Sequence, residues 1–393
     1  FTECIGTGGM AAVYRGKRRG TAGFETAVVV KMLLPEHRRN HSYVRMFKEE
    51  ARLSAQLQHN NVVRVHDFGM LAGIPFFEME DLTGWNLHQV RDALAQRNLR
   101  LPVPIALTLA SEACRGLAYA HSFVDDKGTR RPIIHRDVSP ANIMICRDGS
   151  VKLVDFGLAR LTSGETLKID TFLGKLAYMS PEQLDRRQLD RRADVFALGV
   201  TLHELLTGRR LFGTGNDHET LRRLQTLVVE PPSAANPEVP AALDVIVLRA
   251  LQRDPDLRYQ SAAEMLVALD ALGGMMAARA HLLGYLGSMA PDVFTHACDG
   301  CGERVAWGAE CASCKTYLEP SPFAEEDASP SAAAEMAPPP PTRPLRWLQR
   351  RWLILQLTLS VLWRRLDAWI AAQRTRVLER AAQRSFGRVE RLA

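Results

Sequence analysis

Cysteine is scarce in this chain. There are seven among 393 residues; four sit in two C-x-x-C pairs, and Cys4, Cys114 and Cys146 are scattered. Such usage speaks against a disulfide framework and fits a reducing, cytoplasmic compartment with a metal site. Long apolar runs are also missing. The most apolar part of the C-terminal tail, residues 352–363, is uncharged for only twelve positions, about 18 Å of helix against the roughly 30 Å hydrocarbon core of a bilayer. A helix spanning a membrane is therefore not expected there. Lysine is absent from residues 343–393, where twelve arginines face three acidic residues. The net charge of +6 thus belongs to the tail, and nucleic-acid binding by the body of the chain is not expected. No internal repeat is found, which argues against a solenoid or propeller.

What is present is patterned like ordinary globular protein, in a chain long enough that more than one domain is expected. Residues 1–34 alternate glycine-rich and β-branched stretches, with 27–30 as a buried-strand run. Because the sequence is strand-like from its first residues, the edge of this domain is expected to lie before them. Val44, Phe47, Ala51, Ser54 and Leu57 then share one helical face. Two strand-like pieces, 62–69 and 74–80, complete a small sheet-rich lobe over 1–82. From there the period turns helical: Ile105, Leu109, Ala113, Leu117 and Ala120 recur at steps of four, four, four and three. The stretch ADVFALGVTLHELLTG, 193–208, is apolar around most of its circumference and is expected as a helix buried within a larger lobe over 83–272. The fold class expected is α+β. Beyond 272 we read a helical connector (273–297), a cysteine knuckle module (298–318), a Pro/Ala-rich linker that cannot bury a core (319–344) and a basic amphipathic helix (345–393).

The chemistry-bearing residues come at fixed distances. IGTGGMAAVY, residues 5–14, is a glycine turn between two strands, which lets backbone N–H groups approach anionic phosphates without Cβ obstruction. Lys31 closes the strand AVVVK, and Glu50 follows nineteen residues on in FKEEARLSAQL. Such a pair can aim an ammonium at the phosphates of a nucleotide, although a surface lysine and a solvated helix face give the same spacing. HRDVSPAN places Asn142 five residues after Asp137, and VKLVDFGLAR places Asp155 eighteen after it. Amide and carboxylate oxygens in that setting suit magnesium. YMSPE at 178–182, Asp194 in RRADVFALG and Arg258 in RDPDLRYQSA follow in order.

With these motifs, residues 1 to about 272 resemble a eukaryotic-type Ser/Thr protein kinase domain of the bacterial branch, over roughly two-thirds of the chain. The resemblance implies a bilobal fold that transfers the γ-phosphoryl of ATP, with Mg2+ or Mn2+, to protein hydroxyls. It implies that Gly6, Gly8 and Gly9 cover the phosphates, while Ile5 and Val13 wall the adenine and ribose. Lys31 and Glu50 would form the ion pair, Asp137 would be the catalytic aspartate, and Asn142 and Asp155 the metal ligands. Met79 falls where the back of the adenine pocket is guarded, and Glu80 to Leu82 form the hinge. Glu182 and Arg258 would brace the activation segment, and Asp194 would orient the catalytic loop. The choice of serine and threonine comes from the resemblance alone; nothing in the residues excludes tyrosine. A kinase-fold scaffold without catalysis is the rival reading.

Five positions depart from the pattern. Ala11 stands at the third glycine, Val29 replaces an alanine over adenine, and Glu78 precedes Met79 where an apolar residue is usual. Ser139 replaces a lysine two after the aspartate, and Lys175 stands where a threonine is usual after the glycine of the facing loop. We expect that Lys175 and Ser139 have exchanged charge and hydroxyl across the γ-phosphate. Thr171 is the expected site of an activating phosphate, with Arg136 as its receptor.

Two appendages remain. Cys298, Cys301, Cys311 and Cys314 have the spacing of two knuckles whose thiolates surround one structural Zn2+, with iron as a lesser alternative. In the tail, Trp352, Leu355, Leu359, Leu362, Leu366 and Trp369 form a helical seam flanked by arginines. An anionic lipid surface, peripheral at the inner membrane face, and a helical protein partner explain it equally.

Overall fold

The computed structural model describes residues 2–156, 176–273, 279–290, 292–298, 300–306 and 311–314. The chain divides into two compact units, Phe1–Ala324 and Glu325–Ala393. The second unit, and with it the expected tail helix, lies outside the described residues, as do Thr171 and Lys175. No described helix is long and apolar enough to cross a membrane.

The architecture is the expected α+β one, with a β-rich lobe followed by a helical lobe. In the first lobe, β1 (Glu3–Thr7), β2 (Ala11–Arg19), β3 (Glu25–Leu33), β4 (Val65–Leu71) and β5 (Ile74–Glu80) form one sheet in the order β1-β2-β3-β5-β4. Its neighbours are antiparallel, so residues directly opposite one another share a face. Val13 lies opposite Lys31, and Val29 opposite Met79. These residues therefore point to one side with Ala11, Leu33 and Phe77, onto Phe47 and Ala51 of helix α1 (His41–Ser54). Asn40 starts that helix by accepting hydrogen bonds from the backbone N–H groups of Ser42 and Tyr43. Period two also explains Glu78. It faces away from this core and pairs with Arg18 at 2.9 Å.

The second lobe begins with β6 (Gly84–Asn86), which joins β7 (Ile143–Cys146) and β8 (Val151–Leu153) in a small sheet. It is accompanied by helices α2 (Leu87–Ala95), α3 (Val103–His121), α4 (Pro181–Leu184), α5 (Arg192–Thr207), α6 (Asp217–Thr226), α7 (Pro232–Ala235), α8 (Ala241–Ala250) and α9 (Ala262–Asp270). Every residue of α5 after Arg192 is buried, as its all-round apolar sequence demands. Gly199 lets it approach α8: a Cβ there would lie 2.9 Å from that of Ala250.

A backbone link sets the two lobes against each other. Val63 N–H donates to the Leu153 carbonyl at 2.9 Å, and Leu153 N–H to that of Asn61 at 2.9 Å. This fixes the exit of β8, so that Asp155, two residues on, lies beneath β3.

After α9 the chain forms α10 (Arg279–Met289) and an antiparallel hairpin of β9 (Thr295–Ala297) and β10 (Arg304–Ala306). Leu282, Leu286, Ala290 and Phe294 are fully buried in the same core as α2 and α3. Phe294 meets Trp85 of β6 edge-on, with ring centroids 5.5 Å apart. Tyr285 donates to the Arg100 carbonyl at 2.9 Å, and Arg97 pairs with Asp292 at 2.6 Å.

Candidate active site

The cleft between the lobes gathers most of the residues that the sequence singled out. Lys31 extends from β3, with its Nζ 2.6 Å from Glu50 Oε1 on α1 and 2.9 Å from Asp155 Oδ1. All three charges therefore meet at one point. Burial works against the ammonium, yet Asp155 and Glu50 outweigh it and hold the Lys31 pKa above its ordinary value. Burial pushes the Glu50 carboxyl upward, against the attraction of Lys31.

Asn142 sits in a short 3-10 turn, where its amide donates to the Asp137 backbone carbonyl at 2.7 Å and to Asp137 Oδ2 at 3.0 Å. The amide nitrogen is thereby committed, which leaves its oxygen as an acceptor. That oxygen and the Asp155 carboxylate are the hard ligands a divalent cation prefers. Phe156, buried beside Asp155, packs on the His135 ring at a centroid distance of 4.4 Å.

Asp194, at the start of α5, carries the loop that leads to Asp137. Its Oδ2 accepts the backbone N–H of His135 and the ring Nε2 of His121, each at 2.8 Å, and its Oδ1 accepts the Arg136 N–H at 2.8 Å. These hydrogen bonds overcome burial and hold its pKa below the ordinary carboxylate value. They also hold Arg136 at φ +65°, a left-handed conformation that a non-glycine residue rarely adopts. Glu182 grips Arg258 with both oxygens, at 2.6 and 2.8 Å, and Arg258 is fully buried.

The glycines precede this cleft. Gly6, opposite Val13, has open space where a Cβ would stand, and Ile5 is exposed. Val29 and Met79 are buried and Leu82 is half-buried. The Glu80 carboxylate is engaged with the Arg64 N–H at 2.7 Å and Lys152 at 2.8 Å. Ser139 is 3% exposed, and its hydroxyl has no hydrogen-bond partner among the described residues. Lys175, its expected counterpart, is outside the described residues.

The protein kinase domain family matches residues 1–268. The chain belongs to that family.

Among curated proteins, the tyrosine-protein kinase MasK of Myxococcus xanthus is 36% identical over 291 residues, 72% of this chain and 45% of that protein. Serine/threonine-protein kinase A of Synechocystis sp. is 34% identical over 69% of this chain and 52% of that one. For serine/threonine-protein kinase PrkC of Bacillus subtilis the values are 34%, 66% and 38%. The chain thus spans about half or less of these relatives' lengths. Among solved structures, the PknI kinase domain of M. tuberculosis aligns with a TM-score of 0.52 and 27% identity, over 69% of this chain and 94% of that domain.

Three supporting residues of this domain escaped the sequence reading. His121 shares the Asp194 carboxylate, Gln183 donates to the Arg136 carbonyl at 3.0 Å, and His37 reaches the glycine loop. Only Gln183 left a local trace, as the partner of Ser180 in a capping box.

Away from the cleft, the four knuckle cysteines do converge. Their sulfurs all lie within 4.8 Å of one another, with Cys298 and Cys314 at 3.4 Å and Cys301 and Cys311 at 3.6 Å. A disulfide requires ~2.05 Å, whereas four sulfurs ~2.3 Å from one tetrahedral ion stand about 3.8 Å apart. The cluster therefore fits a single ion.

His135 ties this geometry to pH. Its Nε2 faces the Val154 carbonyl at 3.1 Å and so carries the proton, while Nδ1 accepts the Asp137 N–H at 3.3 Å. The ring is used in its neutral form, and burial lowers its pKa. The unfolded state then takes up a proton near pH 6.5 that the folded state refuses, so stability is lost as pH falls through that value toward the lower folded pKa. Urea unfolding at pH 7.0 and 5.5 should give a smaller free energy at the lower pH, with a shallower dependence in His135→Gln; an equal slope in the variant would contradict this.

Proposed function

We propose that this kinase transfers the γ-phosphoryl of Mg-ATP to serine or threonine hydroxyls of proteins. The observation that carries this reading is the shared position of Lys31, Glu50 and Asp155, with Asn142 and Asp137 beside them. Lys31 would hold the α- and β-phosphates under Gly6, Gly8 and Gly9, with Ile5, Val13, Met79 and the hinge from Glu80 to Leu82 enclosing the base. Magnesium, taken by Asn142 and Asp155, would neutralise the phosphate charge. Asp137 would accept the proton of the attacking hydroxyl. The names of the Synechocystis and Bacillus relatives support serine and threonine; that of the Myxococcus relative favours tyrosine as a second reading.

Labelled-ATP assays should show transfer by the wild type and a loss of about a thousandfold in Asp137→Asn, within the usual share of a general base. Equal activity in the two would leave the scaffold reading standing. Phosphopeptide mapping of the active protein then decides the acceptor type. It also tests Thr171, which we assign as the activating phosphosite: the buried Arg136 Nε has no hydrogen-bond partner among the described residues and could receive a phosphate. Active protein without phosphate at Thr171 would end that assignment.

The exchange of Ser139 and Lys175 belongs to the same reaction. The buried Ser139 hydroxyl, without a partner among the described residues, would orient a reacting carboxylate, and Lys175 would supply the missing positive charge. Lys175→Ala should lower kcat at least tenfold, about 1.4 kcal/mol. A smaller loss refutes the exchange. Ser139→Lys combined with Lys175→Thr should recover more activity than either change alone.

We assign Zn2+ to the four cysteines on their sulfur-only chemistry and spacing. Four thiolates close the coordination shell, so the ion is structural. Elemental analysis of protein purified without chelator should find one zinc per chain, falling in Cys301→Ser. Metal-free wild-type protein would reject the assignment, and iron in its place would select the alternative.

A further inference from the structure

We infer that His37 is a positioning residue that ties the glycine loop to the helix carrying Glu50. The inference rests on the nucleotide-binding reading above and concerns how the roof over the phosphates is held.

His37 ends a short turn, Pro35–His37, just after β3, and its ring has a partner on two sides. Its Nε2 lies 2.9 Å from the Gly9 carbonyl oxygen. That oxygen can only accept, so Nε2 carries the proton. The ring face stacks on Tyr43 at a centroid distance of 4.2 Å and an interplanar angle of 8°. Tyr43 lies in the first turn of α1, whose start is fixed by Asn40, and it packs on the core of the small lobe. One residue along the loop, the Met10 carbonyl accepts the Leu34 N–H at 2.9 Å. The segment after β3 therefore grips two successive carbonyls of the glycine loop. Within the loop, the Gly8 N–H closes on the Ala11 carbonyl at 2.8 Å.

The physical need for such a tie follows from the glycines. A Cβ at Gly6 would meet nothing within 4 Å, one at Gly8 would meet only the Ala11 carbonyl oxygen at 3.7 Å, and Gly9 is exposed. A loop of this composition has many conformations to lose when a nucleotide arrives. Fixing the Gly9 carbonyl from outside removes part of that ordering cost before binding. Because the other side of the imidazole rests on α1, the roof and the Lys31–Glu50 pair are referred to the same helix. His37 touches no reacting atom, so its removal should weaken nucleotide binding and leave the chemical step alone.

Two substitutions separate the hydrogen bond from the ring. His37→Phe keeps the stack and loses the donor; His37→Gln keeps a donor and loses the stack. Hydrogen exchange of the protein without nucleotide should be faster over residues 8–12 in His37→Phe and close to wild type in His37→Gln. Calorimetric titration with Mg-ATP should show Kd raised about three- to tenfold in His37→Phe, the range of one lost hydrogen bond. His37→Gln should stay within about twofold. At saturating ATP, kcat should change less than about twofold while KM for ATP rises, as for lost uniform binding. Unchanged exchange and affinity in His37→Phe would overturn the proposal, as would equal losses in both variants or a loss that merely follows a lowered melting temperature. A wild type that binds no Mg-ATP while the exchange difference persists would uphold the tie and instead remove the nucleotide reading.

Discussion

Lys31 keeps its ammonium 2.6 Å from one carboxylate and 2.9 Å from another inside the cleft, and the rest of the site is arranged around that contact. A buried pair of this kind adds little net stability, because desolvation consumes most of the attraction. Removing one partner is costly because it strands the other. The geometry is thus enforced by what would follow from leaving it, and it needs three separate elements in place together: β3, α1 and the segment after β8. Two carboxylates on one ammonium leave surplus negative charge, and Asp137 lies near enough to Glu50 to add to it. Among the described residues the cleft thus carries surplus negative charge, a setting that suits a divalent cation.

Beneath this contact lies a frame built on a different plan. Asp194 is buried at the start of α5, yet two backbone N–H groups and His121 satisfy its carboxylate. It fixes the catalytic loop through the main chain and so allows the left-handed turn at Arg136. Gln183 takes the Arg136 carbonyl from the opposite side, and Glu182, the residue before it, is locked to Arg258. The loop, α4 and the buried helix α5 are therefore one hydrogen-bonded body. The small lobe is joined to this body by the backbone link at Asn61–Val63 and by the Lys31–Asp155 and Glu80–Lys152 ion pairs.

Much of this was legible in the sequence. Strand alternation gave the sheet, four-residue steps gave α3, and fixed spacings brought Lys31, Glu50, Asp137, Asn142 and Asp155 together. Alternation also resolves Glu78, which seemed misplaced beside Met79 until the pleat put it on the outer face against Arg18. His37, His121 and Gln183 were not legible as partners. Each works through one directional contact to a residue far along the chain, and such contacts have no period. The packing of α10 was hidden for a related reason. Leu282, Leu286, Ala290 and Phe294 do recur at helical steps, but which surface they cover depends on where β6 places Trp85.

That packing changes how the cysteine hairpin should be regarded. A knuckle on a free linker would bind its ion without consequence for the domain before it. Here Phe294 is fully buried in the core shared with α2 and α3, and Cys298 follows it by four residues across one strand. An ion that holds the thiols in the folded arrangement and not in the unfolded one must stabilise that arrangement. β9 follows Phe294 directly, and Phe294 packs on Trp85 of β6, the first strand after Glu80 to Leu82, which pairs with β7; β7 in turn begins immediately after Asn142. An ion bound at the cysteines would therefore act on the packing of β6 as well as on the hairpin.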